Sequence, residues 1–167
     1  DKNIRFIDLD ENSGHAHARN IALEEVETPY FMFLDADDEL ASYAITFYLE
    51  KFNNTDGLIA PIHSFTTQRP QFVDLDRVRV EYFNAKGNIN SFLRKQSACN
   101  IIFRTAIVRA HHIRFNENLN TYVDWSFVLE YMKYVNKFVR IFNFPFYFRG
   151  EVYDPFETLK VREENFD

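Results

Sequence analysis

The sequence predicts an α/β protein with an open, mainly parallel, Rossmann-like sheet and flanking helices. Three observations predict it. Up to Phe65 the chain reads strand, helix, strand, helix, strand, an order that builds a sheet with right-handed crossovers. The run YFMFL (Tyr30 to Leu34) is apolar without alternation, as expected of a strand buried on both faces. That run stops on Asp35, Asp37 and Asp38, and in open sheets of this kind ligands bind at the carboxyl ends of strands.

Each element has its own signal. Residues 3–9 (NIRFIDL) carry the β-branched and aromatic residues of an opening strand. Residues 11–26 follow as a helix, with Asn12 or Ser13 as N-cap and Ala18, Ile21, Ala22 and Val26 as its buried stripe. A second helix fits residues 41–52 and a third strand residues 57–65. Residues 66–88 mix charge with β-branched side chains and read as a long loop or an edge hairpin. Beyond them come a short helix over 89–95, a strand over 99–104 and a helix over 105–111. Residues 124–135 form a helix with Phe127, Val128, Tyr131 and Val135 on one face, and two strands close the chain at 138–143 and 145–150. With no repeat, low-complexity tract or linker, residues 1–167 are expected to form a single domain.

Composition narrows the function. An apolar fraction of 46% with 26% charged residues belongs to a globular domain with a real core. The net charge of −6 argues against a general nucleic-acid partner, because phosphate neutralisation needs a basic face. Cys99 is the only cysteine, which excludes an intrachain disulfide and a thiolate metal cluster and fits a reducing cytosol. No stretch reaches the roughly 18 apolar residues of a membrane span, so membrane association is expected only through segments outside this chain. The histidines do not suggest a metal site: His15 and His17 share no helical face, and His111 and His112 are adjacent.

The acidic turn is the chemical signal. Three neighbouring carboxylates repel one another unless a cation or tight hydrogen bonding offsets the cost. Magnesium typically takes one or two carboxylates and completes its shell with substrate phosphate oxygens. First-turn acids capping the following helix, through Asp37 or Asp38, are the alternative, and both readings stand on the residues alone.

Two blocks of sequence bear a family resemblance. NSGHAHARNIALEEVETPYFMFLDADDEL, through Asn12, Gly14, Ala18, Arg19, Asn20, Ala22, Leu34, Asp35, Asp37 and Asp38, resembles family 2 glycosyltransferases of the GT-A fold. The later run RFNENLNTYVDW, through Arg114, Phe115, Glu117, Leu119 and Asp124, resembles the same family's second block. The resemblance implies an inverting sugar transfer from a nucleoside diphosphate sugar to an acceptor hydroxyl of a glycan or polymer, with Mn2+ or Mg2+ as cofactor. It implies that Asp35 lies near the donor ribose or the metal, that Asp37 holds the ion with Asp35 beside it, and that Asp38 supports the loop. It puts Arg19 on the donor side and makes Asp124 the catalytic base. From the residues alone, Arg19 could equally be a solvated helix arginine paired with Glu11 or Glu24, and Asp124 a helix N-cap.

The chain departs from the family pattern at Val123, where a Glu usually precedes the Asp. The family's opening strands would also precede Asp1. The expectation is therefore the C-terminal part of a GT-A catalytic domain, incomplete at its N-terminal side and inactive in isolation. A rival reading is a non-catalytic GT-A-like module of a larger bifunctional polymerase. A phosphatase-type reading is disfavoured, because no Thr follows the D-x-D and no glycine-rich phosphate loop is present.

Overall fold

The computed structural model describes residues 4–52, 54–64, 74–84, 97–143 and 146–150. Among the described residues there are four α-helices: α1 (Gly14–Glu25), α2 (Ala44–Phe52), α3 (Thr105–Ala110) and α4 (Val123–Met132). The strands are β1 (Tyr30–Phe31), β2 (Glu39–Leu40), β3 (Gly57–Ile59), β4 (Ile62–Ser64), β5 (Val80–Asn84), β6 (Ile101–Arg104), β7 (Lys137–Ile141) and β8 (Tyr147–Arg149). The main sheet has the order β1-β6-β3-β7-β5, and a smaller sheet has the order β2-β8-β4. The expected helix at 89–95 lies outside the described residues.

The α/β class holds, but the described ladders are not mainly parallel. In the main sheet only β3 and β7 pair in parallel; β1–β6, β3–β6 and β5–β7 are antiparallel. Strands β1, β3 and β7 do point the same way. The difference comes from β6, which runs in reverse between β1 and β3 and so converts one parallel neighbour pair into two antiparallel ones. Strand β1 stands at one end of the described sheet rather than at its centre.

Residues 4–9 form no strand, and Ile4 and Phe6 are 61% and 91% exposed. A strand exists only by pairing, and among the described residues nothing pairs with this segment. The third predicted strand is split in two, β3 and β4, around Ala60 and Pro61.

The sheet separates two apolar layers. Alternation along the strands sends Ile59, Ile101, Phe103 and Phe138 to the side of α1, α3 and α4, and Leu58, Ile102, Val139 and Ile141 to the side of α2. The run Tyr30 to Phe33 feeds both layers, with Phe31 and Phe33 on one side and Tyr30 and Met32 on the other. The packing is two-faced, as the lack of alternation predicts, but burial is partial, only Tyr30 and Phe31 are in a strand, and Leu34 is 50% exposed. Helix α4 buries the predicted face, including Phe127, Val128 and Tyr131. Helix α1 does not: Ala16, Asn20 and Leu23 are buried, whereas Ala18 and Ala22 are exposed.

Much of the 17% aromatic content is spent on one cluster around Phe103, which is fully buried. Its ring stacks on Phe31 at 5.3 Å and meets Phe127 at 5.3 Å and Tyr131 at 4.9 Å edge-on, geometries favoured by the ring quadrupole. Truncating Phe103 to Ala is expected to lower stability by about 3–5 kcal/mol, while Ile4→Ala changes it by less than about 0.5 kcal/mol. Urea denaturation of the two variants checks this.

Candidate active site

The site is built where α1, the β1–β2 turn, the start of α4 and the short 3-10 turn Ala98–Asn100 converge. Arg19, on α1, donates from Nη2 to Asp35 Oδ1 at 2.7 Å and from Nη1 to Asp124 Oδ1 at 2.5 Å. Its guanidinium also lies 5.5 Å and 5.4 Å from the ring centres of Phe33 and Phe115. With its side chain only 13% exposed, Arg19 is not a solvated helix arginine. Burial works against its charged form, but Asp124 and Asp35 outweigh that and raise its pKa. Glu24 is held instead by Arg114.

Asp124 is not the N-cap of α4. That position is taken by Tyr122, in the left-handed region at φ 60° and without a side-chain cap. The Asp124 carboxylate points across to other elements: Oδ2 accepts from Ser97 Oγ at 2.9 Å and from the Ala98 amide at 3.0 Å. Ser97 in turn caps the 3-10 turn by accepting from the Cys99 amide. No local pattern in the sequence marks Ser97 or Ala98.

The acidic turn divides its three carboxylates between different tasks. Burial alone would raise Asp35, but the Arg19 hydrogen bond leads the interactions that hold its carboxyl below the usual range. Asp38 is sealed: its Oδ2 accepts from the Tyr147 hydroxyl and its Oδ1 from the Gly150 amide at 2.8 Å, and its own amide closes the turn onto Asp35 O at 3.0 Å. Burial and the Asp38 contact raise the Tyr147 hydroxyl pKa. Asp37 remains exposed. The turn is locked from below by Gly150, where an added Cβ would fall 2.0 Å from the Asp37 carbonyl oxygen. A side chain there would have to displace the turn.

This arrangement fits an open divalent site and not a closed cage. Asp37 is the accessible carboxylate, Asp35 is shared with Arg19, and phosphate oxygens would supply the remaining ligands. Among the described residues no three His, Cys, Asp or Glu side chains converge as a metal site. His17 is engaged elsewhere, with its Nδ1 3.0 Å from Glu117 Oε2.

The two motif blocks are also joined through Asn20. Its amide nitrogen donates to Phe115 O at 3.0 Å and Glu117 Oε1 at 2.6 Å, and its Oδ1 accepts from Phe115 N at 2.9 Å. The bond from Asn20 to Glu117 leads the interactions holding the Glu117 carboxyl below its ordinary pKa. Motif residues separated by about a hundred positions therefore meet directly.

Residues 1–113 match the family described as glycosyl transferase family 2. The chain belongs to this family. A curated relative, the teichoic acid poly(glycerol phosphate) polymerase of Staphylococcus epidermidis, is 97% identical over all 167 residues, and the chain spans only 23% of its length. Two crystal structures of S. aureus TarS align over 92% of the chain with TM-scores of 0.67 and 0.70, at 22% and 19% identity, covering 44% and 27% of the TarS chains. TarS in complex with UDP-GlcNAc aligns over 81% of the chain and 38% of its own, with a TM-score of 0.63 at 20% identity. At these identities the likeness shows the fold, which is of the GT-A type. No described helix is long and apolar enough to cross a membrane.

Two outcomes follow from the geometry. Asn20→Ala leaves the buried amide and carbonyl of Phe115 without their partner and is expected to cost about 1–3 kcal/mol, read from the urea midpoint. Burial, with the Asp35 charge adding to it, pushes the Cys99 thiol up to about 11. Because the folded value lies above the unfolded one, the thiol stabilises the fold below about pH 8.5 and loses that contribution as pH rises towards 11. At pH 8 the native thiol should be silent to a disulfide reagent and react fully in urea.

Proposed function

We propose that this domain transfers a sugar from a nucleoside diphosphate sugar to a hydroxyl group of a teichoic acid polymer, with inversion, using Asp124 as general base. The observation that carries the reading is the double ion pair of Arg19, which ties Asp124 to the acidic turn within one site. The UDP and UDP-GlcNAc complexes of TarS support the donor class. The name of the S. epidermidis relative supports the acceptor. Joining glycerol phosphate units makes phosphodiester bonds, a different linkage from a glycosidic one, and that activity is not attributed to this 23% of the relative.

The residues divide the work. Asp124 takes the proton of the acceptor hydroxyl as that oxygen bonds to the anomeric carbon, while the bond to the diphosphate breaks and its electron pair leaves with the phosphate oxygen. Arg19, Ser97 and the Ala98 amide fix the Asp124 carboxylate in one orientation before substrate arrives. Asp37, with Asp35 beside it, would hold Mg2+ or Mn2+, which when bound offsets charge on the leaving diphosphate. Asp38 is the structural member of the trio.

A second reading, a non-catalytic docking module within a larger polymerase, is favoured by one feature. Val123, at the position where the family usually carries Glu, is 4% exposed and packs in the core. Asp124→Asn in the full-length protein separates the two. Under the catalytic reading, sugar transfer falls by about 10²–10⁴ while nucleotide binding by calorimetry is unchanged. Under the docking reading, the wild-type protein shows no sugar transfer for the substitution to remove.

A further inference from the structure

The rings around Arg19 belong to a chain of contacts that leads back to the carboxylate it holds. Phe33 and Phe115 meet edge to face, with ring centres 5.3 Å apart and planes at 75°. The Arg19 guanidinium lies over both rings, so it has two walls set at a steep angle. The Phe115 wall is itself anchored. Phe115 is 2% exposed, and its ring stacks on fully buried Phe127 at 4.1 Å with the planes 6° apart. Its backbone is clamped at both polar groups by Asn20, which donates to the carbonyl and accepts from the amide.

The sequence positions of these partners tie the chain together. Asn20 follows Arg19 on α1, and Phe127 stands at i+3 from Asp124 on α4. Helices α1 and α4 are thus joined twice. One link is the Arg19–Asp124 ion pair. The other runs through Phe115, which offers its backbone to Asn20 and its ring to Phe127. A buried phenylalanine is ordinarily core, and Phe115 does belong to the apolar cluster. Core packing alone requires neither a cation over the ring nor an amide side chain on both backbone groups. A cation over a ring face is attracted to a particular place by the ring quadrupole, which an aliphatic side chain does not provide.

We propose that Phe115 is a positioning residue for sugar transfer: clamped by Asn20 and backed by Phe127, its ring fixes where the Arg19 guanidinium meets Asp124. This rests on the catalytic reading of Asp124 given above and adds a residue that acts only through Arg19. Removing the ring leaves both charges in the chain but loosens the angle at which they meet. Misplacing a catalytic group by about 1 Å costs on the order of a hundredfold in rate.

The test is steady-state sugar transfer by the full-length protein, with UDP-GlcNAc and UDP-glucose as donors, Mn2+, and poly(glycerol phosphate) as acceptor. Phe115→Leu and Phe115→Met are each made alone and together with Arg19→Gln, so that a folding failure of one leaves the other to decide. The expected result is a fall in kcat of about tenfold to a hundredfold for either substitution at 115, with the acceptor KM within about twofold of the wild type. In the Arg19→Gln background the same substitutions lower kcat no further, because the group they aim is gone. Wild-type protein that transfers no sugar overturns the catalytic reading and this proposal with it. Wild-type transfer that Phe115→Leu and Phe115→Met leave at full kcat overturns the proposal alone. A fall in kcat by the same factor with and without Arg19 assigns Phe115 to the fold and overturns it too.

Discussion

The guanidinium of Arg19 is the contact on which the site depends. It is one planar group placed between two carboxylates from distant parts of the chain, with aromatic rings of Phe33 and Phe115 nearby. Without it, Asp35 and Asp124 would be two partly buried like charges in one cleft, an arrangement that drives one of them to protonate. A lysine could meet one carboxylate as a point charge but could not span both with a fixed fork. The residue thus fixes both acids by charge and by hydrogen bonding.

The geometry also explains why α1 is turned as it is. Its apolar residues alone would orient the helix on Ala18, Ile21, Ala22 and Val26. It is instead rotated so that Arg19 and Asn20 face inward, each making several hydrogen bonds. Small alanines contribute little transfer free energy, about 25 cal/mol per Å² of apolar area, whereas leaving the polar groups of the 115–117 loop unpaired costs more. The hydrogen bonds of Arg19 and Asn20, together with burial of Ala16 and Leu23, therefore favour a helix face other than the alanine-lined one.

The same contrast measures how far the sequence could be read. Helix α4 was legible, since large apolar residues at helical spacing left one face to bury. The run from Tyr30 to Phe33 was legible as a two-sided strand for a similar reason. Strand direction was not, because nothing local in 101–104 tells that β6 will insert in reverse between β1 and β3. Residues 4–9 have strand-like composition, but a ladder needs a partner and composition cannot supply one. In the site, Arg19, Asp35, Asp37 and Asp124 were legible through family motifs. Ser97, Tyr147 and Gly150 were invisible, since each acts on a residue that is remote in sequence and reaches it only through the tertiary fold.

The contact between Gly150 and the Asp37 carbonyl has a mechanical side. One backbone hydrogen bond closes the acidic turn, and its further support arrives from Arg19 at Asp35 and from β8 at Asp37 and Asp38. Strand β8 is itself held on both sides, by β2 and by β4, so the turn rests on a paired strand. A shortened version of the protein ending before Tyr147 would retain every acid of the motif in sequence, yet would lose the scaffold that keeps the Asp38 carboxylate tied down and the loop in shape. For anyone cutting or grafting this domain, β8 has to be kept along with the motifs.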